Sequence, residues 1–248
     1  MDALDQFVMS LMSDWGQHSA VVNKFIILFL GLPTVKALPI FALVWLLWFS
    51  DHSFRCRLAI LEGFIGMFVA FAVARELGNW LPERVRPLHS GDPHFTPPLG
   101  ITDDMLEHWS SFPSDHAAVF FALSTSLWLA SRRVGAISYA WSIFIVCLPR
   151  IFAGWHYASD IIAGAAVGIF VATVVARPIA AKLGPWVWAA EKRHQAFFYA
   201  AFFVLSYQFT TMFDDVRRAG RALHNLEHMQ TEGYKTDVSV RSEASGDR

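Results

Sequence analysis

Six long apolar runs leave the chain little choice of architecture. They lie at residues 25–49, 58–78, 114–130, 136–149, 161–176 and 196–213. A helix needs about 20 mostly apolar residues to cross a bilayer, since each backbone polar group in hydrocarbon must be satisfied within its own segment. The shorter runs reach that length by extending into their polar flanks. Pro33, Lys36 and Pro39 interrupt the first run. A half-helix to about Leu32 and a spanning helix from Thr34 are therefore expected. The expected fold is all-α, an integral membrane six-helix bundle. Residues 1–24 form an interfacial amphipathic segment, residues 25–213 the membrane-embedded domain, and residues 214–248 a polar tail. The tail begins with the spacing of an amphipathic helix (Val216, Leu223, Leu226, Met229) and ends in a stretch expected to be disordered.

Composition agrees. Of the 248 residues, 54% are apolar and 17% charged, against about 25% charged in soluble domains. The 22 Phe and 10 Trp suit a chain whose rings sit at lipid and headgroup boundaries. A net charge of −1 offers no strongly basic surface for nucleic acid. Cys56 and Cys147 have no metal-ligand spacing, and no disulfide is expected between them. Asp2, Asp5 and Asp14 occupy the place where a cleavable signal would be basic. That end reads as an amphipathic helix lying on the membrane.

Orientation follows from the loops. Arg55 and Arg57, then Arg132 and Arg133, then Arg177, Lys182, Lys192 and Arg193 mark three basic connections. The two that alternate with them carry only Arg84, Arg86 and Arg150. The basic loops are expected inside, and the other two outside together with both termini. Arg217, Arg218 and Arg221 in the tail pull the other way, but three loops agree.

Three clusters occupy the outward loops: Arg84-Val-Arg86-Pro87, Phe112-Pro-Ser114-Asp-His116, and Arg150 followed by His156 and Asp160. Singly, each has an ordinary explanation. An arginine pair can anchor a helix to headgroups, Ser114 can cap a helix, and a His–Asp pair four apart shares a helical face. Together they place three arginines, two histidines and a carboxylate at one edge of an apolar bundle, where ionisable groups are costly and usually functional. Guanidinium groups suit a phosphate, and the helix beginning at Ser114 adds N–H donors. Asp160 can accept from one ring nitrogen of His156 and leave the other free to attack phosphorus. Protonated His116 can then donate to the leaving oxygen.

The order Arg-Pro, then Pro-Ser-x-His, then Arg-x5-His-x3-Asp resembles the three-part signature of the type 2 phosphatidic acid phosphatase superfamily. In form it is nearest to bacterial polyprenyl (undecaprenyl) diphosphate phosphatases, and the resemblance covers about residues 58–176. It implies a six-helix bundle and hydrolysis through a phosphohistidine, with His156 as nucleophile, Asp160 as its orienter and His116 as general acid. Arg86, Ser114 and Arg150 would bind phosphate. Two positions depart from the pattern. Asn79 stands where the family usually has Lys, and Arg84 is the expected substitute, ahead of Arg75. Asp115 stands where the family usually has Gly.

The expected activity is metal-independent, cofactor-free removal of phosphate from a lipid-linked phosphate or polyprenyl diphosphate. Its expected setting is the outer face of a bacterial inner (plasma) membrane. The alternatives are a glycerolipid-phosphate or lipid-linked sugar-phosphate phosphatase, or a non-catalytic lipid phosphate binder or transporter. His89, His94, Asp103, Asp104, Glu107 and His108 match no compact metal site and read as a solvated loop. Lys36 is expected to snorkel to the interface, and Trp109 and Trp155, which flank the motifs, either to line the lipid entrance or to anchor at the interface. Gly164 and Gly168, four apart, are expected to serve packing inside the bundle rather than a dimer contact. The oligomeric state is left open.

Overall fold

A computed structural model describes residues 3–18, 20–51, 53–92, 95–98, 101, 109–211 and 213. The metal candidates His94, Asp103, Asp104, Glu107 and His108, and the tail from residue 214, lie outside these. The described residues are helical, without strands. Helix α1 (Ala3–His18) and α2 (Ala20–Gly31) precede α3 (Pro33–Ser50) and α4 (Phe54–Trp80). A long connection then leads to α5 (Asp115–Ala130). Helices α6 (Arg132–Trp141) and α7 (Leu148–Phe152) are joined by a π-helical stretch, Ser142–Cys147, into one rod. Helices α8 (Ala158–Phe170) and α9 (Arg177–Arg193) join likewise through Val171–Ala176, and α10 (Gln195–Thr210) follows.

Three of these rods are long and apolar enough to cross a membrane: Phe54–Trp80, Arg132–Phe152 and Ala158–Arg193. A fourth span results if the pair Asn23–Gly31 and Thr34–Ser50, bent by 64°, counts as one. The chain is thus an integral membrane protein. Helices α5 and α10 have 16 residues each, short of the roughly 20 that a bilayer core requires. The expected break near Leu32 occurs there, with Pro33 at the first helical position, where its missing N–H costs nothing.

The break changes the reading of Lys36. Instead of snorkelling to the interface, its side chain is buried, and Nζ donates to the Leu30 carbonyl at 2.9 Å. The interruption leaves carbonyls without helical partners, and Lys36 turns inward to one of them.

Helix α5 is the hub, packed between α4, α8 and α6. Its residues 117–120 and 122–127 are all buried. Small side chains make this possible. Gly164 lies so close to the Ser114 carbonyl, and Gly168 to the Ala118 carbonyl, that neither has space for a Cβ. The glycine pair therefore does pack inside the bundle, as its spacing led us to expect. Ser124 extends the seam, its hydroxyl 2.7 Å from that of Ser138 and 3.1 Å from that of Ser142. Helix α10 is held to α3 and α4 by aromatic rings: Phe202 lies 4.5 Å from Trp45, 5.3 Å from Trp48 and 5.0 Å from Phe64, centroid to centroid. Arg57, near the start of α4, donates to Glu191 of α9 at 2.6 Å, and the Tyr199 hydroxyl of α10 donates to the same carboxylate at 2.7 Å.

Candidate active site

Four pieces of chain meet at the end of the bundle opposite the Arg57–Glu191 pair. They are the C-terminal turns of α4, the connection before α5, the first turn of α5, and the turn between α7 and α8. That last turn is possible because Gly154 adopts φ +70, a conformation that side-chain-bearing residues avoid. A Cβ there would meet the Phe95 ring, and the Gly154 carbonyl accepts from the Leu88 N–H at 2.9 Å. One turn thereby fixes both His156 and the connection at Arg86 and Pro87.

These pieces enclose a cavity of about 530 Å3, partly open, whose wall includes Arg75, Asn79, Glu83, Arg86, Trp109, Asp115 and His156. Arg86 is buried and held by three backbone carbonyls. It donates to Trp109 (Nε, 3.0 Å), Ser110 (Nη2, 3.2 Å) and Trp155 (Nη1). Burial pushes its guanidinium below the ordinary value, Asp115 and Asp160 pull it back, and Arg75 opposes. Arg75 stands with its guanidinium carbon 4.1 Å from the centroid of the Trp109 ring, a cation–π contact. Asn79, one turn further along α4, shares its face. Arg75 and Arg86 thus face one cavity whose wall also carries the carboxylates of Glu83 and Asp115.

His156 is 5% exposed, and its Nδ1 lies 2.8 Å from the Ser111 carbonyl. A carbonyl can only accept, so in this contact Nδ1 carries the proton and Nε2 keeps its lone pair. Asp160, fully buried, has Oδ2 3.7 Å from the same Nδ1. That oxygen accepts from the Tyr157 N–H at 2.8 Å, tying the carboxylate to the start of α8. The expected His156–Asp160 pair is present, but the direct acceptor is a backbone carbonyl, and the carboxylate acts across a longer gap. Burial pushes the imidazole below its ordinary value, while Asp160 pulls it back up.

The ring of His116 has a carboxylate partner. Its Nδ1 lies 2.8 Å from Oδ1 of Asp115, which also accepts the His116 backbone N–H at 2.7 Å. Ser114 caps α5, its hydroxyl accepting from the Ala117 N–H at 3.4 Å, and its own N–H donates to the Asp160 carbonyl at 3.1 Å. Arg150 is 1% exposed, and its Nη1 donates to the Val146 carbonyl at 2.6 Å. Ser114 and Arg150 are thus sealed into the protein, away from the cavity wall.

Arg84 also lies off that wall. Its guanidinium bridges Asp160 and Asp5, the latter at 2.7 Å, and donates to the Ser159 hydroxyl at 2.8 Å. The expected substitute for the family's lysine is engaged behind His156, and Arg75 is the cation beside Asn79. Sequence reasoning missed Asp5 and the Ser111 carbonyl. A backbone carbonyl has no sequence signature, and Asp5 looked like an interfacial residue. Burial raises the Asp5 carboxyl, but hydrogen bonds from the Ser159 N–H and hydroxyl and from Arg84 outweigh it and hold the group below its ordinary value. Among the described residues, no group of three His, Cys, Asp or Glu is placed to hold a metal ion.

The chain is similar to several known proteins. Residues 67–182 match the family model of the PAP2 superfamily. A Bacillus licheniformis protein named bacitracin transport permease protein BcrC is 34% identical over 111 residues, 43% of this chain and 51% of that protein. The chain thus spans about half the length of the curated relative it matches. The crystal structure of Aquifex aeolicus LpxE aligns with a TM-score of 0.50 at 20% identity, over 73% of this chain and 96% of that one, a likeness of fold. Arg86, Asp115 and His156, one residue from each motif, stand on the wall of one cavity, and all three motifs lie within the segment, residues 67–182, that is similar to the PAP2 superfamily.

Proposed function

We propose that this protein is a membrane phosphatase that takes a phosphate from a lipid-linked phosphate or diphosphate through a phosphohistidine on His156. The observation that carries the reading is the free Nε2 of a neutral His156, whose Nδ1 faces the Ser111 carbonyl, at a cavity shared with Arg86. Nε2 donates its electron pair to phosphorus, and the bond from phosphorus to the leaving oxygen breaks. Protonated His116 gives that oxygen its proton. Water then attacks the phosphohistidine, the bond from phosphorus to Nε2 breaks, His116 takes up the proton of the water, and inorganic phosphate leaves. Arg75 and Arg86 stabilise charge on the transferring group, and the activity should persist in EDTA, since arginines supply the charge that metals supply elsewhere.

In the membrane we read six crossings, with α5 and α10 as the short ones and the cavity at the outer face of a bacterial plasma membrane. A polyprenyl diphosphate is the favoured substrate, through the form of the motifs. A second reading, a transporter, is favoured by the name of the Bacillus relative, a bacitracin transport permease protein. A transporter needs the arginines but no nucleophile. The deciding experiment is phosphate release by purified protein on polyprenyl diphosphates, polyprenyl phosphates and phosphatidic acid. Release that disappears in His156→Ala supports the hydrolase. No release on any of them, or undiminished release by His156→Ala, overturns it.

A further inference from the structure

Two carboxylates from distant parts of the chain share one guanidinium beside the reacting imidazole. Arg84 donates to Oδ1 of Asp160 through Nη1, and to Oδ2 of Asp5 through Nη2 at 2.7 Å. Asp5 Oδ1 accepts the Ser159 N–H at 2.9 Å, and its Oδ2 accepts the Ser159 hydroxyl at 2.7 Å. Asp5 and Asp160 are fully buried, while Leu4 and Phe7, on the same helix as Asp5, are exposed. Burying a carboxylate is expensive unless it is paired and hydrogen-bonded, and Asp5 is both. For docking α1, an apolar residue would serve at lower cost.

The charge count indicates what Asp5 adds. Arg84 and Asp160 alone are neutral as a pair, whereas with Asp5 the trio carries a formal charge of −1. The other charged groups facing His156 are Arg86 from the connection before α5 and Asp115 from α5. His116 and Arg150 sit around that aspartate. Attack on phosphorus makes the imidazole positive, and a net negative neighbour stabilises that state.

We propose that Asp5 is a positioning residue of the active site, which through Arg84 keeps the unit behind His156 net negative, so that α1 completes the catalytic centre. This rests on the hydrolase reading. Removing a negative charge lowers the pKa of a nearby imidazole. In Asp5→Asn the acid limb of kcat/KM should therefore move to lower pH, by roughly half a unit, and kcat should fall roughly tenfold, the scale typical of outer-sphere partners. Asp5→Glu should retain the wild-type limb, as should Phe7→Ala on the exposed face of α1.

The experiment is the pH profile of phosphate release from farnesyl diphosphate in detergent micelles by the full chain and these variants. A wild-type limb in folded Asp5→Asn, whether or not kcat falls, overturns the proposal. If Asp5→Asn does not accumulate, Asp5→Ser gives the same reading, its hydroxyl still able to accept from Ser159. Failure of both neutral variants to fold while Asp5→Glu folds would make Asp5 purely structural and overturn the proposal as well. An inactive wild type sinks the hydrolase reading itself. An active wild type, an inactive His156→Ala and an unmoved limb in Asp5→Asn sink only the role of Asp5.

Discussion

The ring of His116 is hydrogen-bonded by its own chain neighbour: Nδ1 lies 2.8 Å from the carboxylate of Asp115, at the first turn of α5. The position four residues on, Phe120, offers no partner, so the sequence pattern leaves His116 unassisted where the structure gives it a carboxylate. Both histidines therefore have their Nδ1 engaged, His156 with a carbonyl and His116 with an anion. The carbonyl fixes the tautomer of His156 and leaves its Nε2 lone pair free, whereas the carboxylate orients the ring of His116.

Asp115→Ala should accordingly impair the acid more than the nucleophile. Loss of a hydrogen bond to a charged group is worth about 1.5–3 kcal/mol, a rate loss of tenfold or more when the leaving group is an alkoxide. On a diphosphate, whose leaving group needs less protonation, the loss should be smaller. Steady-state rates on a polyprenyl phosphate and the matching diphosphate decide it, and equal losses on both would remove Asp115 and His116 from the acid role.

His156→Ala should form no phosphoenzyme in a rapid quench with labelled substrate, since the nucleophile is required for every leaving group. The direction of the His156 shift also sets a pH dependence. Burial lowers its pKa, so the neutral, attacking form persists to lower pH than an ordinary imidazole would allow. The acid limb of kcat/KM in the wild type should lie below about 6.5, the unperturbed histidine value. A limb well above that would place a different group in control.

The two arginines that compete to replace the missing lysine should separate kinetically. Arg75 lines the cavity on Trp109, so Arg75→Ala should weaken substrate binding and transition-state stabilisation together, by about 2–4 kcal/mol in kcat/KM. Arg84 reaches the reaction only through Asp160, so Arg84→Ala should act on kcat and on the pH profile with little change in KM. Asn79→Ala should cost much less than Arg75→Ala. A larger KM effect in Arg84→Ala than in Arg75→Ala would restore Arg84 as the substitute cation.

Gly168→Ala tests the packing that positions the site. The added methyl would press on the Ala118 carbonyl and the Ala122 N–H of α5, and overpacking of this kind costs about 1–3 kcal/mol. Gly31→Ala, with open space around it, is the control and should change stability by less than about 0.5 kcal/mol. Thermal unfolding in detergent reads both, and equal melting temperatures would mean that α5 and α8 can separate without loss.

How much was legible depended on whether the signal was local. Apolar length marked the spanning rods, proline marked the break after α2, and glycine spacing marked the seam of α8 against α5, because each acts within a few residues. The motif residues His156 and Asp160 were legible as a pair from their spacing, although His156 lies in the turn before α8 and not on a helical face shared with Asp160. The inward turn of Lys36 was not, because the nearest carbonyl it could satisfy depended on how the chain bent.

By itself, then, the sequence determined a helical membrane chain with two histidines, a carboxylate and a group of arginines near one end of it. The tertiary structure decided which arginine meets the cavity and which is engaged behind it. It also decided that the Ser111 carbonyl fixes the His156 tautomer, and that Asp5 reaches Ser159, 154 residues away in sequence. These are contacts between segments whose separation along the chain carries no periodic signal. Their partners are chosen by which buried polar groups would otherwise go unsatisfied once the helices have packed.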